Sequence, residues 1–427
     1  MEIVPIINTV ISIIFTVCYL YQFAYIPLAW LLPKKKLKEP EKLNDYAVLI
    51  CARNEEVVVS DLIDSLKAQT YDQKHLHIFV MADNCTDRTA EFAEKAGATV
   101  YTRNDTTLVG KGYALKTLLQ NLKKDYPDGF DGYFIFDADN LLKENYIEEM
   151  HKTFSNGNDV VTSYRNSKNY GHNWITSGYA LWFLRESRYL NLPRYLLGTS
   201  CAVSGTGFMF SRKVAEEIGD WPFHMLTEDI EFSVNQIVKK RKIAFCLNAE
   251  LYDEQPTTFA QSWRQRMRWA KGYIQVFQGY GTKLIKGTFT GNFGCYDMAM
   301  AIMPAFILSA ISILCNLVMC IYGIIKDANL TTALLSIGSF LFGIYALLFV
   351  VGVITTISEW KHIRTSAFKK VLYCFTFPLF MFTYIPISIV ALFHNPGWKP
   401  IEHTVSAASL REQEEKENEK KAKKTKN

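Results

Sequence analysis

The sequence predicts an α/β protein, with a mostly parallel, Rossmann-like mixed sheet in the middle of the chain and transmembrane helices on either side of it. Two observations predict this class. Long apolar stretches lie near both ends of the 427 residues, whereas the middle has the composition of an ordinary soluble domain. Within that middle, short apolar runs alternate with helix-like stretches, a pattern typical of parallel sheets covered by helices.

The N-terminal stretch, residues 1–33, predicts one transmembrane helix. Ile3 to Leu32 is almost free of charge and exceeds the ~20 apolar residues that a span requires. It is too long for the apolar region of a signal peptide, and no small-residue cleavage site follows it. Lysines 34–36 come directly after Pro33 and mark this end as the cytoplasmic one, which places Met1 outside.

Residues 298–394 predict about three more transmembrane helices, in the runs Met298 to Ile325, Leu330 to Ile357 and Val371 to Phe393. None of these runs contains a charged residue, and one charge at the bilayer centre would cost ~3 kcal/mol. The basic stretch between the last two runs predicts a cytoplasmic loop, which would leave the charged tail, residues 395–427, outside. Pro378 and Pro386 are compatible with an alternative in which the last segment is re-entrant or interfacial and the tail stays in the cytoplasm.

Residues 34–258 predict a cytosolic domain built on a parallel sheet. Its apolar runs have the length of buried strands, and helical stretches at 56–69 and 111–124 separate them. The predicted strands are Tyr46 to Cys51, His77 to Met81, Thr99 to Tyr101 and Tyr133 to Phe136. In such sheets ligands bind outside the carboxyl ends of the strands. Neither of the two common phosphate-binding glycine loops, GxxxxGK[ST] and GxGxxG, occurs.

Composition argues against several classes of protein. The 47 basic and 42 acidic residues leave a net charge of only +5, and no basic stripe is interleaved with aromatic residues, which argues against nucleic-acid binding. The nine cysteines form no CxxC pair, and several lie in apolar runs, so neither a disulfide framework nor a zinc site is predicted. The soluble part is therefore expected to face a reducing compartment.

Two carboxylates, Asp137 and Asp139, come directly after the last predicted strand. Because side chains alternate along a strand, they point to the same side of it. A pair of carboxylates at the carboxyl end of a strand is a natural seat for Mg²⁺ or Mn²⁺ that carries a diphosphate. The alternative is a plain polar turn, since the DxD pattern is short and common.

Polar residues at the ends of the other strands are candidates for holding a nucleotide. Asp83 follows the second strand and can accept hydrogen bonds from a nucleoside, or else form an Asx-turn that leads into a helix. Asn54 and Glu55 follow the first strand and have the same two interpretations. Lys111, between two glycines at a helix start, is either a phosphate contact or a solvated side chain in a flexible turn.

Glu228 and Asp229 follow Thr227 at a predicted helix start. A carboxylate there can act as a general base that takes the proton of a hydroxyl nucleophile. The alternative needs no chemistry, because threonine is a good N-cap and acidic residues in the first turn suit the helix dipole.

Residues 259–297 predict amphipathic helices at the membrane interface. They carry Gln265, Arg268 and Trp269 on one helical face. The arginine and the glutamine can hold a departing phosphate, and the tryptophan offers a flat platform for a sugar ring. A basic interfacial helix is an alternative that is compatible with this role. Its headgroup side would carry Arg264, Arg266 and Lys271, with Trp263 and Trp269 at the boundary.

The order of these motifs resembles the membrane-embedded family 2 glycosyltransferases, such as cellulose synthase, hyaluronan synthase and poly-N-acetylglucosamine synthase. The resemblance covers about Tyr46 to Trp269 and rests on DxD, TED and QxxRW at these separations. It implies a GT-A fold, a UDP-sugar donor, a divalent metal, Mg²⁺ or Mn²⁺, and inversion at the anomeric carbon, which gives a β-link from an α-linked donor.

The resemblance also implies a role for each candidate residue. Asn54, Glu55 and Asp83 would hold the nucleoside, and Lys111 would contact the nucleotide or its phosphates. Asp137 and Asp139 would hold the metal, Asp139 most directly, and Asp137 would also touch the nucleotide. Asp229 would be the general base, with Glu228 beside the acceptor. Gln265 and Arg268 would stabilise the leaving diphosphate, and Trp269 would stack on the acceptor sugar.

The resulting hypothesis is a multi-pass enzyme of the plasma membrane with a cytoplasmic catalytic domain. It would extend a β-linked polysaccharide from UDP-glucose, or next from UDP-N-acetylglucosamine, and extrude it across the membrane. Two departures from cellulose synthase are the single N-terminal span and the lack of a Phe-Val-Thr gating loop after Trp269. The expected partners are the donor, a glycan or lipid acceptor and membrane lipid, and the sequence does not define an accessory subunit.

Two other hypotheses compete with the polysaccharide synthase. The first is the transfer of a single sugar to a lipid acceptor, such as ceramide or diacylglycerol, which the small number of spans favours. The second is a non-catalytic transporter or scaffold. Transport is disfavoured because no predicted span carries an ionisable residue.

Overall fold

The computed structural model describes residues 3–302 and 330–397, together with positions 314–315, 318, 321–322, 325, 403 and 405–406. Most of the predicted run Met298 to Ile325 and the charged end of the tail, 407–427, lie outside the described residues. Those two predictions therefore stay predictions.

The central domain is built on one mixed sheet of eight strands. These are β1 (Tyr46–Ala52), β2 (Leu76–Asp83), β3 (Thr99–Arg103), β4 (Gly132–Asp137), β5 (Leu141–Leu142), β6 (Val160–Ser167), β7 (Phe208–Ser211) and β8 (Ile243–Asp253). Their order is β3-β2-β1-β4-β7-β6-β8-β5. Four of the seven strand pairs are parallel, which confirms the predicted mostly parallel mixed sheet. The four predicted strands are β1 to β4, and each extends beyond the predicted bounds.

The surroundings of β1 explain why the strands are continuous apolar runs in the sequence. It pairs with β2 on one side and β4 on the other, and residues 46–50 are fully buried. Ala47 and Leu49 face one core cluster, whereas Val48 and Ile50 face the other. Because helices cover both faces of the sheet, both sets of alternating side chains must be apolar.

Eight helices surround the sheet. They are α2 (Val59–Lys67), α3 (Thr89–Lys95), α4 (Lys111–Asp125), α5 (Tyr146–Ser155), α6 (Trp174–Glu186), α7 (Leu192–Leu196), α8 (Arg212–Ile218) and α9 (Glu228–Val238). A π-helical turn, Ser187–Asn191, joins α6 to α7. The predicted helices near 56–69 and 111–124 correspond to α2 and α4, and the predicted helix start after Thr227 is the start of α9.

Apolar and amphipathic helices lie on either side of this domain in the sequence. They are α1 (Ile3–Leu31), α10 (Phe259–Phe289), α11 (Phe293–Ile302), α12 (Leu330–Ser358), α13 (Ala367–Phe382) and α14 (Tyr384–Phe393). Three stretches of the described chain are long and apolar enough to cross a membrane: Ile13–Leu31, Leu341–Ser358 and Ala367–Phe393. They correspond to the predicted N-terminal helix and the last two predicted runs.

The last apolar stretch is broken at Thr383, between α13 and α14. Pro386 has no backbone N–H and leaves the carbonyl of Phe382 without a helical donor, which favours a break at this point. Beyond the break, Ile387 and Ala391 of α14 share an apolar cluster with Met267 of α10. The last segment therefore packs along the amphipathic helix α10 rather than continuing α13.

The stretch between α12 and α13 lies against the central domain. The ring Nδ1 of His362 is 3.0 Å from a carboxylate oxygen of Glu250 on β8, and Lys369 Nζ donates to the carbonyl of Gly171 at 2.6 Å. The sequence predicted this basic stretch as a cytoplasmic loop. Its contacts place it on the same side of the apolar helices as the sheet.

Asp297 on α11 joins the apolar helices to the central domain. Its carboxylate accepts hydrogen bonds from Nη2 and Nε of Arg194 on α7 at 2.6 and 2.7 Å. It also accepts the hydroxyls of Tyr21 and Tyr25 on α1, at 2.8 and 3.2 Å. Arg194 and Asp297 are 4% and 2% exposed, so each charge depends on the other for compensation.

Replacing Asp297 by alanine should destabilise the protein strongly. The substitution leaves Arg194 as an uncompensated buried charge, and breaking such a pair costs about 3–5 kcal/mol. Thermal unfolding of the detergent-solubilised chain measures the effect. Glu91→Ala, which removes one partner of an exposed ion pair with Lys95, is the matched control and should not shift the midpoint. Equal midpoints for the two variants would contradict the role given to Asp297.

Candidate active site

A cavity of about 760 Å³ lies at the carboxyl ends of β1, β2 and β4 and continues between the apolar helices. Ten of the eleven predicted site residues line it: Glu55, Asp83, Lys111, Asp137, Asp139, Glu228, Asp229, Gln265, Arg268 and Trp269. Asn54 does not. Its exposed side chain accepts hydrogen bonds from the backbone N–H and the hydroxyl of Thr86, at 2.8 and 3.3 Å, and so ties together the loops that follow β1 and β2.

Asp137 and Asp139 differ in their surroundings. Asp137 ends β4 with a half-exposed carboxylate, and its backbone N–H donates to Thr206 Oγ1 at 2.9 Å. Asp139 is buried, and its Oδ2 accepts the backbone N–H of Glu254 at 2.7 Å. Burial raises the pKa of Asp139, but the positive charges of His403 and Lys168 outweigh burial and lower that pKa below its ordinary value. The turn after β4 thus presents one accessible and one buried carboxylate to the cavity.

Lys111 supplies a fixed positive charge beside these carboxylates. It begins α4 directly after Gly110, whose φ of +135° lies in the region that favours glycine. Its Nζ pairs with Asp137 and donates to the carbonyl of Gly205 at 2.8 Å. Although burial lowers the pKa of Lys111, the charges of Asp137 and Glu228 outweigh burial and raise it. The amine therefore stays charged where a phosphate would approach a helix N-terminus.

Asp229 and Asp137 flank the loop that contains Gly205. A Cβ atom at Gly205 would lie 3.9 Å from Asp229 Oδ2 and 4.0 Å from Asp137 Oδ2. The predicted base and a predicted metal ligand therefore face the same small volume, although 92 positions separate them in the sequence.

Glu228 is buried and Asp229 is partly buried at the first turn of α9. Burial, together with the charge of Asp229, raises the pKa of Glu228 to about 7. Burial also raises the pKa of Asp229, and the charges of Lys111 and Arg268 oppose that rise. Two carboxylates this close cannot both ionise easily, so the pair is suited to taking up one proton.

Gln265, Arg268 and Trp269 reach the cavity from α10. Gln265 Oε1 is buried and has no hydrogen-bond partner among the described residues. Buried polar atoms are usually paired, so an unpaired one in a cavity indicates a ligand-binding position. Arg268 makes no ion pair within the described part of the chain. Its positive charge nevertheless lowers the pKa of Glu228 and of Asp229, against the effect of burial. The Trp269 ring packs edge-on against Tyr179, with centroids 5.7 Å apart.

Arg266 departs from its predicted place on the headgroup side. It is fully buried, and its Nη1 donates to the carbonyl of Phe380 at 3.2 Å and to Thr383 Oγ1 at 2.6 Å. The prediction was wrong because the broken junction of α13 and α14 offers the Phe380 carbonyl, the Thr383 hydroxyl and the ring of Phe380, which lies 4.4 Å from the guanidinium. Arg264 is exposed, as predicted.

The side of the cavity nearest β2 has two buried ion pairs. Asp83, at the end of β2, is 4% exposed, and its Oδ1 lies 2.6 Å from Nη1 of Arg103. Glu55 lies close to the ring of His403, whose Nδ1 is 3.0 and 2.9 Å from the two carboxylate oxygens. The charges of Asp139 and Glu55 outweigh burial and raise the pKa of His403 to about 10.

His403 was not predicted as a site residue, and no local pattern marks it. It comes from the segment after α14, where Val405 also donates its backbone N–H to Glu254 Oε2 at 2.9 Å. These contacts bring the start of the tail to the sheet side of the apolar helices.

Arg165, Asp253 and Glu186 also line the cavity and were missed. Arg165 Nε donates to Asp253 at 2.7 Å, and its Nη1 donates to the carbonyl of Ser204 at the same distance. Glu186 accepts the hydroxyl of Ser204 at 2.7 Å. The rule that ligands bind at the carboxyl ends of strands would have found Arg165 and Asp253, because they lie near the ends of β6 and β8.

The carboxylates fit a divalent metal that arrives with a diphosphate. Among the described residues, no group of three or more His, Cys, Asp or Glu side chains is arranged to enclose a metal. Mg²⁺ usually binds through one or two carboxylates together with waters and substrate phosphates rather than in a protein cage. Asp137 and Asp139, with only one oxygen of Asp139 held by Glu254, match that donor set.

The other half of the cavity is apolar. Its walls come from α1, α11, α12 and α13, and include Phe15, Phe23, Ile26, Met298, Ile302, Leu341, Ile344, Leu347, Leu348, Val351, Phe377 and Met381. The few polar side chains on α1 in this region are Thr16, Tyr19 and Gln22. One continuous space therefore leads from the carboxylates to an apolar surface that can contact a lipid chain.

The profile of the glycosyltransferase-like family 2 matches residues 44–272, more than half of the chain. The chain is 26% identical over 255 residues to a probable glycosyltransferase, YdaM, of Bacillus subtilis, covering 56% of this chain and 57% of that protein. It is 23% identical to a beta-monoglucosyldiacylglycerol synthase of Synechocystis, covering 55% and 48%. It is 26% identical to a poly-beta-1,6-N-acetyl-D-glucosamine synthase of Staphylococcus aureus, covering 62% and 63%. The match thus spans about half to three fifths of these relatives.

A solved structure with a similar fold is the mannosyltransferase PcManGT of Pyrobaculum calidifontis, determined with GDP-Man and Mn²⁺. The two chains superpose with a TM-score of 0.57 at 14% identity, over 91% of this chain and 99% of that one. At this identity the likeness concerns the fold, and it agrees with the GT-A fold expected from the sequence.

Substituting Gly272 should destabilise the protein by pressing α10 away from α9. A Cβ atom there would lie 2.5 Å from Thr227 Oγ1 and 2.9 Å from the Thr227 backbone nitrogen. Gly272→Ala should lower stability by about 1–3 kcal/mol, the usual cost of overpacking, which chemical unfolding measures. Gly279→Ala on the same helix meets only the flexible end of Met225 and serves as the control. A Gly272→Ala chain as stable as this control would show that the two helices can separate without cost.

Proposed function

The chain belongs to the family 2 glycosyltransferases, and from that premise we propose that it transfers a hexose from UDP-glucose to the hydroxyl of a membrane lipid. The observation that carries this proposal is the continuity of the cavity, in which the carboxylates of Asp137, Asp139 and Asp229 open onto apolar walls from α1 and α12. UDP-N-acetylglucosamine is the second donor to be considered.

The apolar walls favour a lipid over a growing glycan as the acceptor. A sugar chain carries hydroxyls that need hydrogen-bond partners when they leave water, and unpaired polar groups are costly in an apolar site. Leu341, Ile344 and Val351 offer no such partners, whereas they can contact an acyl chain. The relative from Synechocystis, whose name describes glucosylation of diacylglycerol, supports the same choice.

The proposed reaction is a single displacement. The lipid hydroxyl oxygen forms a bond to the anomeric carbon while the bond from that carbon to the nucleotide diphosphate breaks. Asp229 takes the hydroxyl proton, and the diphosphate leaves with the bonding electrons. Lys111 and Arg268 lie where they can neutralise the departing charge, and Gln265 can donate a hydrogen bond to it. Attack from the face opposite the leaving group gives a β-linked product.

A divalent metal would supply additional neutralisation of the diphosphate. We assign it to Asp137 and Asp139, and we assign the nucleoside to Asp83 and Glu55 at the ends of β2 and β1. The arrangement of Asp83 with Arg103 leaves one carboxylate oxygen, Oδ2, available to a base or ribose. PcManGT, which shares the fold, holds its nucleotide sugar together with Mn²⁺.

The proposed location is the plasma membrane, with the catalytic domain in the cytoplasm. Lysines 34–36 after α1 and the basic stretch between α12 and α13 lie on the side of the sheet, in agreement with the tendency of basic residues to stay inside. The contact of His403 with Glu55 supports a cytoplasmic start of the tail as well. The domain limits proposed from the sequence, 1–33, 34–258, 259–297, 298–394 and 395–427, remain compatible with this arrangement.

A β-linked polysaccharide is the second candidate product. Trp269 favours it, because its ring lines the cavity beside Asp229 and aromatic rings are suited to stacking on sugars. The relative from Staphylococcus aureus is named as a synthase of such a polymer.

The product distinguishes these candidates. Purified protein in mixed micelles, supplied with labelled UDP-glucose, Mn²⁺ and diacylglycerol or phospholipid acceptors, should yield a product that extracts into organic solvent and carries one hexose by mass spectrometry.

Asp229→Asn should reduce the rate by about 10²–10⁴-fold, the usual contribution of a general base. Asp220→Asn, at an exposed position away from the cavity, is the matched control. A water-soluble glucan in place of a glycolipid would overturn the lipid acceptor, and an active Asp229→Asn chain would overturn the base.

The rate should also depend on pH in a defined direction. Asp229 acts as a base only when it is deprotonated, and because burial raises its pKa the protonated form persists to higher pH than in an ordinary aspartate. We therefore expect kcat/KM to fall as the pH is lowered below neutrality. Binding of UDP, measured in parallel by calorimetry, should change less. A rate that is constant over this range would contradict the assignment.

A further inference from the structure

The arginines that line the cavity are not equally compensated. Arg165 pairs with Asp253, and Arg194 pairs with Asp297 through two hydrogen bonds. Arg185 has no carboxylate within ion-pair distance among the residues that the structure describes. The proposed mechanism assigns Arg268 to the leaving diphosphate and assigns Arg185 to nothing.

The charge of Arg185 is only partly compensated, because the carboxylate of Glu186 acts on it without forming an ion pair. Its Nη2 donates to Gln22 Oε1 of α1 at 3.2 Å, and its guanidinium lies 5.2 Å from the centre of the Trp182 ring. Burial lowers the pKa of Arg185 to about 10, so it remains protonated at neutral pH. A partly buried guanidinium that donates to one amide oxygen has other N–H donors left for an anion.

The position of Arg185 is the junction of the two halves of the cavity. Through Gln22 it touches α1, whose neighbouring residues Tyr19 and Phe23 line the apolar half. The next residue, Glu186, accepts the hydroxyl of Ser204 at 2.7 Å, and Ser204 precedes Gly205, the residue flanked by Asp137 and Asp229. Arg185 lines the same cavity as Asp229 and the apolar helices, so an acceptor that occupies both halves shares this space with its guanidinium.

We propose that Arg185 binds the phosphate of the acceptor, so that the preferred acceptor is a phospholipid whose headgroup carries a free hydroxyl, as in phosphatidylglycerol. This inference rests on the proposed lipid acceptor and adds the class of headgroup. A guanidinium can donate two parallel hydrogen bonds to the oxygens of a phosphate. Both hydrogen bonds are charge-assisted. The headgroup hydroxyl attacks the anomeric carbon, Asp229 takes its proton, and the nucleotide diphosphate leaves. The lipid phosphate forms and breaks no bond.

A lipid in which the phosphate itself attacks, such as a polyprenyl phosphate, shares the chemistry that Arg185 recognises. The buried base favours the hydroxyl, because a phosphate oxygen that is already ionised has no proton for Asp229 to take. The two sources of phosphate are separated by their products, since a sugar on a phosphate is released by mild acid and a sugar on a headgroup hydroxyl is not.

The test compares phosphatidylglycerol, diacylglycerol and a polyprenyl phosphate as acceptors in mixed micelles of the full chain with labelled UDP-glucose. The wild type should prefer phosphatidylglycerol. Arg185→Gln should lower kcat/KM for phosphatidylglycerol by about tenfold or more, the loss of one charge-assisted hydrogen bond. The rate with diacylglycerol and the KM for UDP-glucose should stay as they were. Arg185→Lys should restore part of the preference, and Arg212→Gln, at a partly exposed arginine on α8, should leave it intact.

Each outcome decides the proposal. A wild type that uses diacylglycerol as well as phosphatidylglycerol overturns it without requiring any variant to fold, and so does an Arg185→Gln chain that loses both acceptors equally. An acid-labile product formed only from polyprenyl phosphate also overturns it. In the first two cases a glycolipid with its sugar on a hydroxyl is still made and the proposed function stands, whereas the third case also overturns the hydroxyl acceptor of the proposed function. A glucan without any glycolipid would instead remove the proposed function itself.

Discussion

The compensation of buried charge is the constraint on which the rest of this structure depends. The carboxylates that we assign to a nucleotide, a metal and a proton stand at the edge of a sheet that meets apolar helices, where an uncompensated ion costs several kcal/mol. The chain meets this constraint with dedicated cations: Lys111 for Asp137, Arg103 for Asp83, Arg165 for Asp253, His403 for Glu55 and Arg194 for Asp297. Each pair also joins separate elements or loops. The same contacts therefore neutralise buried charges and hold the tertiary structure together.

The exceptions to this compensation indicate where ligands bind. Glu228 and Asp229 share their surroundings without a dedicated cation, and burial raises the pKa of both, which suits a pair that takes up a proton during turnover. Arg268 and Arg185 have the opposite imbalance, because neither has a carboxylate partner in the described chain. In the proposed reaction, negative groups of the donor and the acceptor fill these two positions.

The apolar helices contribute walls and anchoring as well as a membrane attachment. Asp297 draws α1, α7 and α11 together, and Arg266 of α10 caps the break between α13 and α14. These contacts bring α1 and α12 over the carboxyl ends of the strands, where they extend the polar site into an apolar space. A sheet of this kind standing alone would leave the acceptor side open to water. The position of the helices therefore decides which acceptors can reach Asp229.

Local sequence determined the strands β1 to β4, the helices α2 and α4, the start of α9 and the apolar stretches, because each follows from the character of neighbouring residues. It also placed Asp83, Asp137 and Asp139 at the same edge of the sheet, since the carboxyl ends of parallel strands meet there. Periodicity could not decide that Arg266 turns inward or that Asn54 ties two loops, because both depend on acceptors supplied by distant segments. His403 lies 348 positions from Glu55, and Gln22 lies 163 positions from Arg185. Only the packed structure brings such residues together, because contact between them is set by how the helices and the sheet fill space and by which buried charges require a partner.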